Sequence, residues 1–127
     1  MSARILIVED DMLIAMDLQA TLEDLGYHVV LCVPTGEEAI QKTEECFPDL
    51  IIMDVRLAGR MDGISAAKVI KANYNIPVVF VTASTKADFN DLRAADESWE
   101  CIGKPFRDEQ LQAAVVTALE KAARSKP

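Results

Sequence analysis

Short apolar runs alternate with helical patterns along the chain, and this alternation limits the fold more than any other sequence feature. The run RILIV at residues 4–8 is too short for a helix and too continuously apolar for a strand with one face in water. It therefore predicts a central strand of a parallel sheet. Asp11 can cap the helix that follows, and Gly26 can end it. Between them, Ile14 and Leu18 recur at helical spacing.

The same unit of one strand and one helix recurs four more times. This alternation predicts an α/β fold in which helices cover both faces of a parallel sheet, with residues 1–127 forming a single domain. The further expected strands are 28–33, 50–53, 77–81 and 101–102, and the further expected helices are 35–46, 64–72, 86–95 and a last one through 111–122.

The net charge of −8 indicates which partners this chain is unsuited to bind. Nucleic acids and anionic membranes both attract basic surfaces, so we expect no direct binding to nucleic acid and none to membranes. No apolar run approaches the roughly 18 residues of a membrane helix, and a strand pattern begins at once, without a signal peptide. The expected compartment is cytoplasmic.

Cysteine usage argues against two kinds of structural site. Cys32, Cys46 and Cys101 are odd in number and lack C-x-x-C spacing, so neither a disulfide framework nor a zinc site is predicted. We expect buried, reduced thiols. Among the aromatic residues, Phe47 and Phe80 are interpreted as parts of the core.

Polar side chains with related chemistry follow four of the expected strands. Because the carboxyl ends of parallel strands meet at one edge of a sheet, we expect these side chains to converge there. Clustered carboxylates repel one another or recruit a cation, and a set of oxygen donors favours magnesium. A nucleophile, a metal seat, a cation and a hydroxyl together meet the needs of phosphoryl transfer. The residues are Glu9, Asp10, Asp11, Asp54, Thr82 and Lys104.

Each of these residues also has a simpler structural interpretation. The acids at 9–11 could be solvated caps at a helix start, Asp54 could be a turn residue, and Lys104 could be an ordinary surface lysine. Two features favour function: Asp54 follows an entirely apolar strand, and all four strand ends carry complementary groups.

Five motifs that contain these residues resemble the response-regulator receiver family over nearly the whole chain. They are ILIVEDD at 5–11, IIMD at 51–54, MDG at 61–63, PVVFVTA at 77–83 and KPF at 104–106. The resemblance implies a flavodoxin-like, doubly wound, five-stranded parallel sheet of order 2-1-3-4-5 with five helices. It also implies a cis peptide bond before Pro105.

The resemblance further implies how the site would work. Asp54 would accept a phosphoryl group from a phosphohistidine of a sensor histidine kinase or a histidine phosphotransfer protein. Asp10 and Asp54 would ligate Mg²⁺, Glu9 would hold it through water, and Arg56 would contribute its backbone carbonyl. The chain would be a phosphorylation switch that takes part in its own phosphoryl transfer and autodephosphorylation, and not an enzyme.

The same resemblance assigns the output of the switch. Thr82 and Lys104 would contact the phosphoryl group, and their movement toward it would reshape the surface of the fourth helix, the fifth strand and the fifth helix. A downstream protein target or an output domain would bind there.

The sequence departs from the family pattern at two places. Receivers usually carry Tyr or Phe three residues before the lysine, whereas this chain has Cys101, which is too small for the same role; Trp99 could supply part of it. The loop VRLAGRMDG at 55–63 is one residue longer than the commonest form and lacks the usual proline. Arg56 in this loop could reach the phosphoryl group or the acidic pocket.

Three other classes of function fit the sequence less well. A phosphohydrolase of the haloacid-dehalogenase type needs a second aspartate two residues after its nucleophile, and Arg56 stands there. A pseudo-receiver that only binds proteins would not need the full set of phosphorylation residues. A nucleotide site is disfavoured because the glycines at 26, 36, 59, 63 and 103 form neither G-x-G-x-x-G nor a P-loop.

Overall fold

A parallel sheet forms the centre of the computed structural model, which describes residues 2–83 and 86–125. Its order is β2-β1-β3-β4-β5, and every neighbouring pair is parallel. The predicted α/β class and strand order are therefore confirmed. The strands are β1 (Arg4–Val8), β2 (His28–Val33), β3 (Leu50–Met53), β4 (Val78–Thr82) and β5 (Glu100–Gly103).

Five helices connect and follow these strands in the described part of the chain. Three of them begin at a predicted type of cap: Asp11, Thr35 and Asp62 each accept hydrogen bonds from backbone N–H groups of the first helical turn. Gly26 follows the end of the first helix and has a φ of 97°, a left-handed backbone conformation that favours glycine. The helices are α1 (Met12–Asp24), α2 (Gly36–Cys46), α3 (Gly63–Tyr74), α4 (Lys86–Ala95) and α5 (Asp108–Ser125).

Two apolar layers enclose the sheet, one on each face. Successive residues of a strand point to opposite faces, so Ile5 and Ile7 pack with α1 and α5, whereas Leu6 and Val8 pack with α2 and α3. All residues of β3 and β4 are buried, since both faces of these central strands are covered. The carboxyl ends of the central strands are consequently held in place from both sides.

Two predictions about the core need correction. Phe80 is fully buried and packs on Trp99 with ring centroids 5.2 Å apart, but Phe47 is 59% exposed. Phe47 caps α2 in the left-handed conformation, with a φ of 45°, and lies edge-on to Tyr74. The three cysteines are free thiols, as predicted, but they are half-buried and not fully buried.

Small shifts separate the predicted and observed elements. α3 is longer than 64–72 at both ends, and β4 is displaced by one residue, so that Thr82 is its last residue.

The peptide bond between Lys104 and Pro105 is cis, as predicted. Among the described residues, no helix combines the length and apolar character needed to cross a bilayer.

Candidate functional site

The carboxyl ends of β1, β3 and β5 bring four charged side chains together. Carboxylate oxygens of Glu9, Asp10 and Asp54 all lie within 4.8 Å of one another. The Lys104 ammonium donates to Glu9 Oε1 at 2.8 Å and to Asp54 Oδ2 at 3.0 Å. Four of the six predicted strand-end residues therefore form one cluster of three carboxylates and one ammonium.

The backbone around Asp54 fixes the direction of its carboxylate. Its N–H donates to the Val8 carbonyl at 3.1 Å, which ties the end of β3 to β1. Its Oδ1 accepts from the Arg56 N–H at 3.2 Å, and Oδ2 accepts from Lys104. The Asp54 side chain is 12% exposed, so it is largely shielded from solvent.

Gly63 packs against the backbone of Asp54. Its N–H donates to the Val55 carbonyl at 2.7 Å, which brings the start of α3 back onto the end of β3. A Cβ atom at position 63 would lie 1.9 Å from the Asp54 carbonyl oxygen and 2.9 Å from the carbonyl carbon. Only glycine allows this approach without displacing the Asp54 backbone.

Burial and ion pairing pull the pKa values in this cluster in opposite directions. Burial raises the pKa of Glu9, which is 4% exposed, and the Asp54 charge adds to that rise, while Lys104 and the Asp11 N–H oppose it. For Lys104, burial lowers the pKa, but the hydrogen bonds to Glu9 and Asp54 outweigh burial and raise it. Glu9 and Lys104 form an ion pair, because the 2.8 Å contact between the Glu9 carboxylate and the Lys104 ammonium favours the charged form of each.

Thr82 lies at the end of β4, where it is fully buried and its hydroxyl has a hydrogen-bond partner. Its Oγ1 donates to Asp88 Oδ2 at 3.3 Å. Arg56 donates to the same carboxylate twice, from Nε to Oδ2 at 3.3 Å and from a terminal nitrogen to Oδ1 at 3.1 Å. Asp88, in the first turn of α4, is only 3% exposed.

Sequence reasoning missed Asp88. From the sequence, the Arg56 guanidinium could reach the phosphoryl group or the acidic pocket; in the structure it pairs with Asp88, while the Arg56 backbone N–H donates to Asp54. One signal was available in the sequence: Asp88 and Leu92 are four residues apart, and this spacing puts both on the buried side of α4.

Cys101 occupies the position where receivers usually carry an aromatic residue, and Trp99 lies two residues before it. Cys101 lies opposite Phe80, and burial together with the Asp88 charge raises the pKa of its thiol to about 11. Trp99 packs on Phe80, the strand partner of Cys101, with the ring centroids 5.2 Å apart.

One backbone hydrogen bond joins two of the predicted site residues. The Lys104 N–H donates to the Thr82 carbonyl at 2.7 Å, beyond the last pair of the β4–β5 ladder. The remaining acid, Asp11, caps α1 through Leu13 and Ile14 N–H groups, and its own N–H donates to Glu9. The simpler interpretation therefore holds for Asp11.

The comparison with protein families decides which group of proteins this site belongs to. The family described as "Response regulator receiver domain" matches residues 5–116. The chain belongs to the response-regulator receiver family. Members of this family act as receiver domains in two-component signalling, as switches and not as classical enzymes.

Receivers of known proteins and structures resemble this one over almost its full length. It is 36% identical over 120 residues to the phyllosphere-induced regulator PhyR of Methylorubrum extorquens, covering 94% of this chain and 44% of that protein. It spans about half the length of the curated relatives it matches.

Two solved structures are similar to this receiver in fold and sequence. The signal receiver domain of a modulated diguanylate cyclase from Desulfovibrio desulfuricans has a TM-score of 0.90 and 30% identity, covering 99% of this chain and all of that one. The receiver domain of a sensor histidine kinase from Pseudomonas aeruginosa, with a magnesium ion in its active-site cleft, has a TM-score of 0.82 and 31% identity, covering 94% and 99%.

Proposed function

We propose that this receiver is a phosphoacceptor in a two-component phosphorelay, in which Asp54 takes a phosphoryl group from a phosphohistidine of a sensor histidine kinase or a histidine phosphotransfer protein. The observation that carries the proposal is that the Asp54 carboxylate contacts the Lys104 ammonium at 3.0 Å and lies within 4.8 Å of the Glu9 and Asp10 carboxylates. An anionic nucleophile beside both a cation and a metal seat is what the transfer needs.

Each residue of the site has a place in the transfer. A carboxylate oxygen of Asp54 attacks phosphorus, the phosphorus–nitrogen bond of the phosphohistidine breaks, and its electron pair returns to the imidazole. The product is an acyl phosphate on Asp54. Lys104 offsets the negative charge of the phosphoryl oxygens, and the Thr82 hydroxyl donates to one of them. In autodephosphorylation, water attacks the phosphorus, the bond between phosphorus and the Asp54 oxygen breaks, and inorganic phosphate and the free Asp54 carboxylate are released.

The residues at the edge of the sheet suit Mg²⁺. Glu9, Asp10 and Asp54 provide oxygen donors close to one another, and the Asp54 and Asp10 carboxylates would be ligands, with Glu9 acting through water. Arg56 would contribute its backbone carbonyl. When bound, the ion neutralises negative charge that develops on the phosphoryl oxygens.

Replacing Asp10 with asparagine should weaken magnesium binding sharply. Asp10 is exposed and belongs to the cluster of three carboxylates, so the substitution removes one negative charge from the cluster without disturbing the core. Even loss of an indirect partner of a metal site costs about 10–100-fold in affinity, and we expect at least this for Asp10→Asn. Calorimetry with MgCl₂ measures it, with Asp17→Asn, an exposed acid on α1, as the matched control. Equal affinity in both variants would remove Asp10 from the ligand set.

The partner that delivers the phosphoryl group must cover the rim of the site. Three apolar side chains at the start of α1, directly after the acids, are exposed by 61–78%. They are Met12, Leu13 and Met16. We assign this group to contact with the phosphohistidine-bearing protein, because large exposed apolar side chains beside a reaction centre are suited to burial by a partner.

Truncating this group should separate protein donors from small donors. In the variant Leu13→Ala with Met16→Ala, we expect the rate of phosphotransfer from a histidine-phosphorylated protein to fall by about tenfold, since about 1–2 kcal/mol of apolar contact is lost. The rate with acetyl phosphate should not change. Leu31→Ala on the edge strand β2 serves as the control. A parallel loss with both donors would mean that the substitutions damaged the site and not the docking surface.

The output surface is proposed to be α4, β5 and α5, read by a downstream protein target or an output domain. β5 is the edge strand of the sheet beside β4, and it carries Lys104 just beyond its end. Movement of Thr82 and Lys104 toward a phosphoryl group would therefore act on this surface directly. The single-domain interpretation of residues 1–127 and the cytoplasmic location remain predictions.

Phosphorylation by a small donor tests the proposal as a whole. With acetyl phosphate and MgCl₂, the intact mass should rise by one phosphoryl group, and peptide mapping should place it on Asp54. Chelation of the metal should prevent it. A protein that stays unmodified under these conditions would be a pseudo-receiver, and one that releases phosphate repeatedly from small phosphomonoesters would be a phosphohydrolase.

A further inference from the structure

The hydroxyl of Thr82 has one proton to donate, and that proton is already in use. A threonine hydroxyl is a single donor, and in this receiver it donates to Asp88 Oδ2 at 3.3 Å. The proposed function requires the same hydroxyl to donate to a phosphoryl oxygen on Asp54. The two donations exclude each other, so the Thr82–Asp88 hydrogen bond must break before Thr82 can serve the phosphorylated site.

Asp88 is held in place from a second direction. Arg56 binds both of its carboxylate oxygens, and this fork geometry fixes the carboxylate better than a single contact would. The Asp88 side chain is 4% exposed and the Arg56 side chain is 70% exposed. The pair thus places a buried acceptor beside Thr82, while most of the guanidinium stays in water.

The small side chain of Cys101 belongs to the same arrangement. Cys101 is half-buried on β5 opposite Phe80, two residues before Thr82 along β4. Burial, with a smaller contribution from the Asp88 charge, raises the pKa of its thiol to about 11. At the position where the family usually carries an aromatic ring, this chain has a small side chain with a buried carboxylate nearby.

We propose that Asp88 is a positioning residue that withholds the Thr82 hydroxyl from Asp54 in the unphosphorylated receiver, with Arg56 holding Asp88 in the withholding position. This inference rests on the proposed phosphorylation of Asp54. It goes beyond it by naming the contact that the phosphoryl group must compete with. Since Asp88 belongs to the first turn of α4, release of Thr82 also removes one of the contacts of α4 with the sheet.

The competition predicts that removing Asp88 makes the phosphorylated form easier to reach. Beryllofluoride with MgCl₂ mimics the phosphoryl group on an aspartate, and its affinity can be measured by calorimetry. We expect Asp88→Ala to bind it about tenfold more tightly than the wild type, the scale of one hydrogen bond to a charged acceptor. The variant should fold, because Arg56 is largely in water, and leaving the buried Thr82 hydroxyl without this acceptor costs only about 1–3 kcal/mol.

A double-mutant cycle identifies Thr82 as the residue through which Asp88 acts. In a Thr82→Val background, which keeps the shape and removes the hydroxyl, Asp88→Ala should change beryllofluoride affinity by less than about twofold. Asp91→Ala, an exposed acid on the same helix, should have no effect in either background. A purely structural role of Asp88 would give the same change with and without the Thr82 hydroxyl.

Hydrogen exchange of α4 gives a second readout that needs no change in affinity. In the wild type, beryllofluoride should speed exchange of α4 amides, and in Asp88→Ala these amides should exchange fast without it. Equal beryllofluoride affinity in Asp88→Ala and wild type, or an equal gain in both Thr82 backgrounds, would overturn the inference alone. Absence of beryllofluoride binding to the wild type would instead overturn the proposed function.

Discussion

The variant Asp54→Asn should fold like the wild type and incorporate no phosphate from acetyl phosphate or from a phosphohistidine donor. An amide has the shape of the carboxylate but not its nucleophilic anionic oxygen, so the first step of the transfer is lost. The single amide oxygen can accept from the Arg56 N–H or from Lys104, so one of these two hydrogen bonds is kept and the other is lost.

The same substitution should leave stability nearly unchanged, because loss of the ion pair with Lys104 offsets the relief of repulsion with Glu9. The Asp54 charge is one of the causes that raise the pKa of Glu9, so its removal reduces repulsion between two carboxylates. We expect the free energy of unfolding to change by no more than about 1 kcal/mol. Intact mass and denaturant unfolding measure the two effects, with Asp91→Asn as the control. Phosphate incorporation by Asp54→Asn at the wild-type level would refute the central assignment.

Gly63→Ala should damage the protein far more than the addition of one methyl group would suggest. The added Cβ would lie 1.9 Å from the Asp54 carbonyl oxygen, a backbone atom in the tightest part of the site. Overpacking of this kind costs about 1–3 kcal/mol and sometimes more, and a clash with backbone belongs at the upper end of that range. We expect a loss of about 3 kcal/mol in the free energy of unfolding.

The matched control for this prediction is Gly36→Ala. There the Cβ would meet side-chain atoms of Ala66 and Met61 at 3.0 and 3.3 Å, together with the Met61 carbonyl oxygen at 3.3 Å, so only shifts of a few tenths of an ångström are required. Its expected cost is about 1 kcal/mol. Denaturant unfolding compares the two variants, and acetyl phosphate labelling should be slowed only by Gly63→Ala, since only that change moves the Asp54 backbone. Equal stability losses would show that backbone contact is not the cause.

The fold and the position of the site could be predicted because both follow from local patterns. Continuous apolar runs identify strands buried on both faces, and the residues after them must meet at one edge of a parallel sheet. Glu9, Asp10, Asp54 and Lys104 needed no knowledge of side-chain directions to be grouped. The strand order came from the resemblance to receivers and not from the pattern itself.

The features that could not be predicted depend on how one element turns against another. The spacing of Asp88 and Leu92 points to a shared face of α4, but that Asp88 accepts from Thr82 depends on how α4 packs on the end of β4. The Arg56 side chain follows from that packing, since it turns to the buried carboxylate. Phe47 lies outside the core for a comparable reason, because the left-handed backbone conformation at the end of α2 points its side chain outward.

The hydrogen bond from the Lys104 N–H to the Thr82 carbonyl has a consequence for how the phosphorylation site and a bound partner influence each other. Because the strand ends that hold the cation and the hydroxyl are joined, a protein that grips the outer edge of β5 would act on both phosphoryl contacts at once. Linkage requires that influence to be mutual. If phosphorylation strengthens the grip of a downstream partner by some factor, that partner must favour the phosphorylated form by the same factor, so a target can help to set the state of the receiver that it reads.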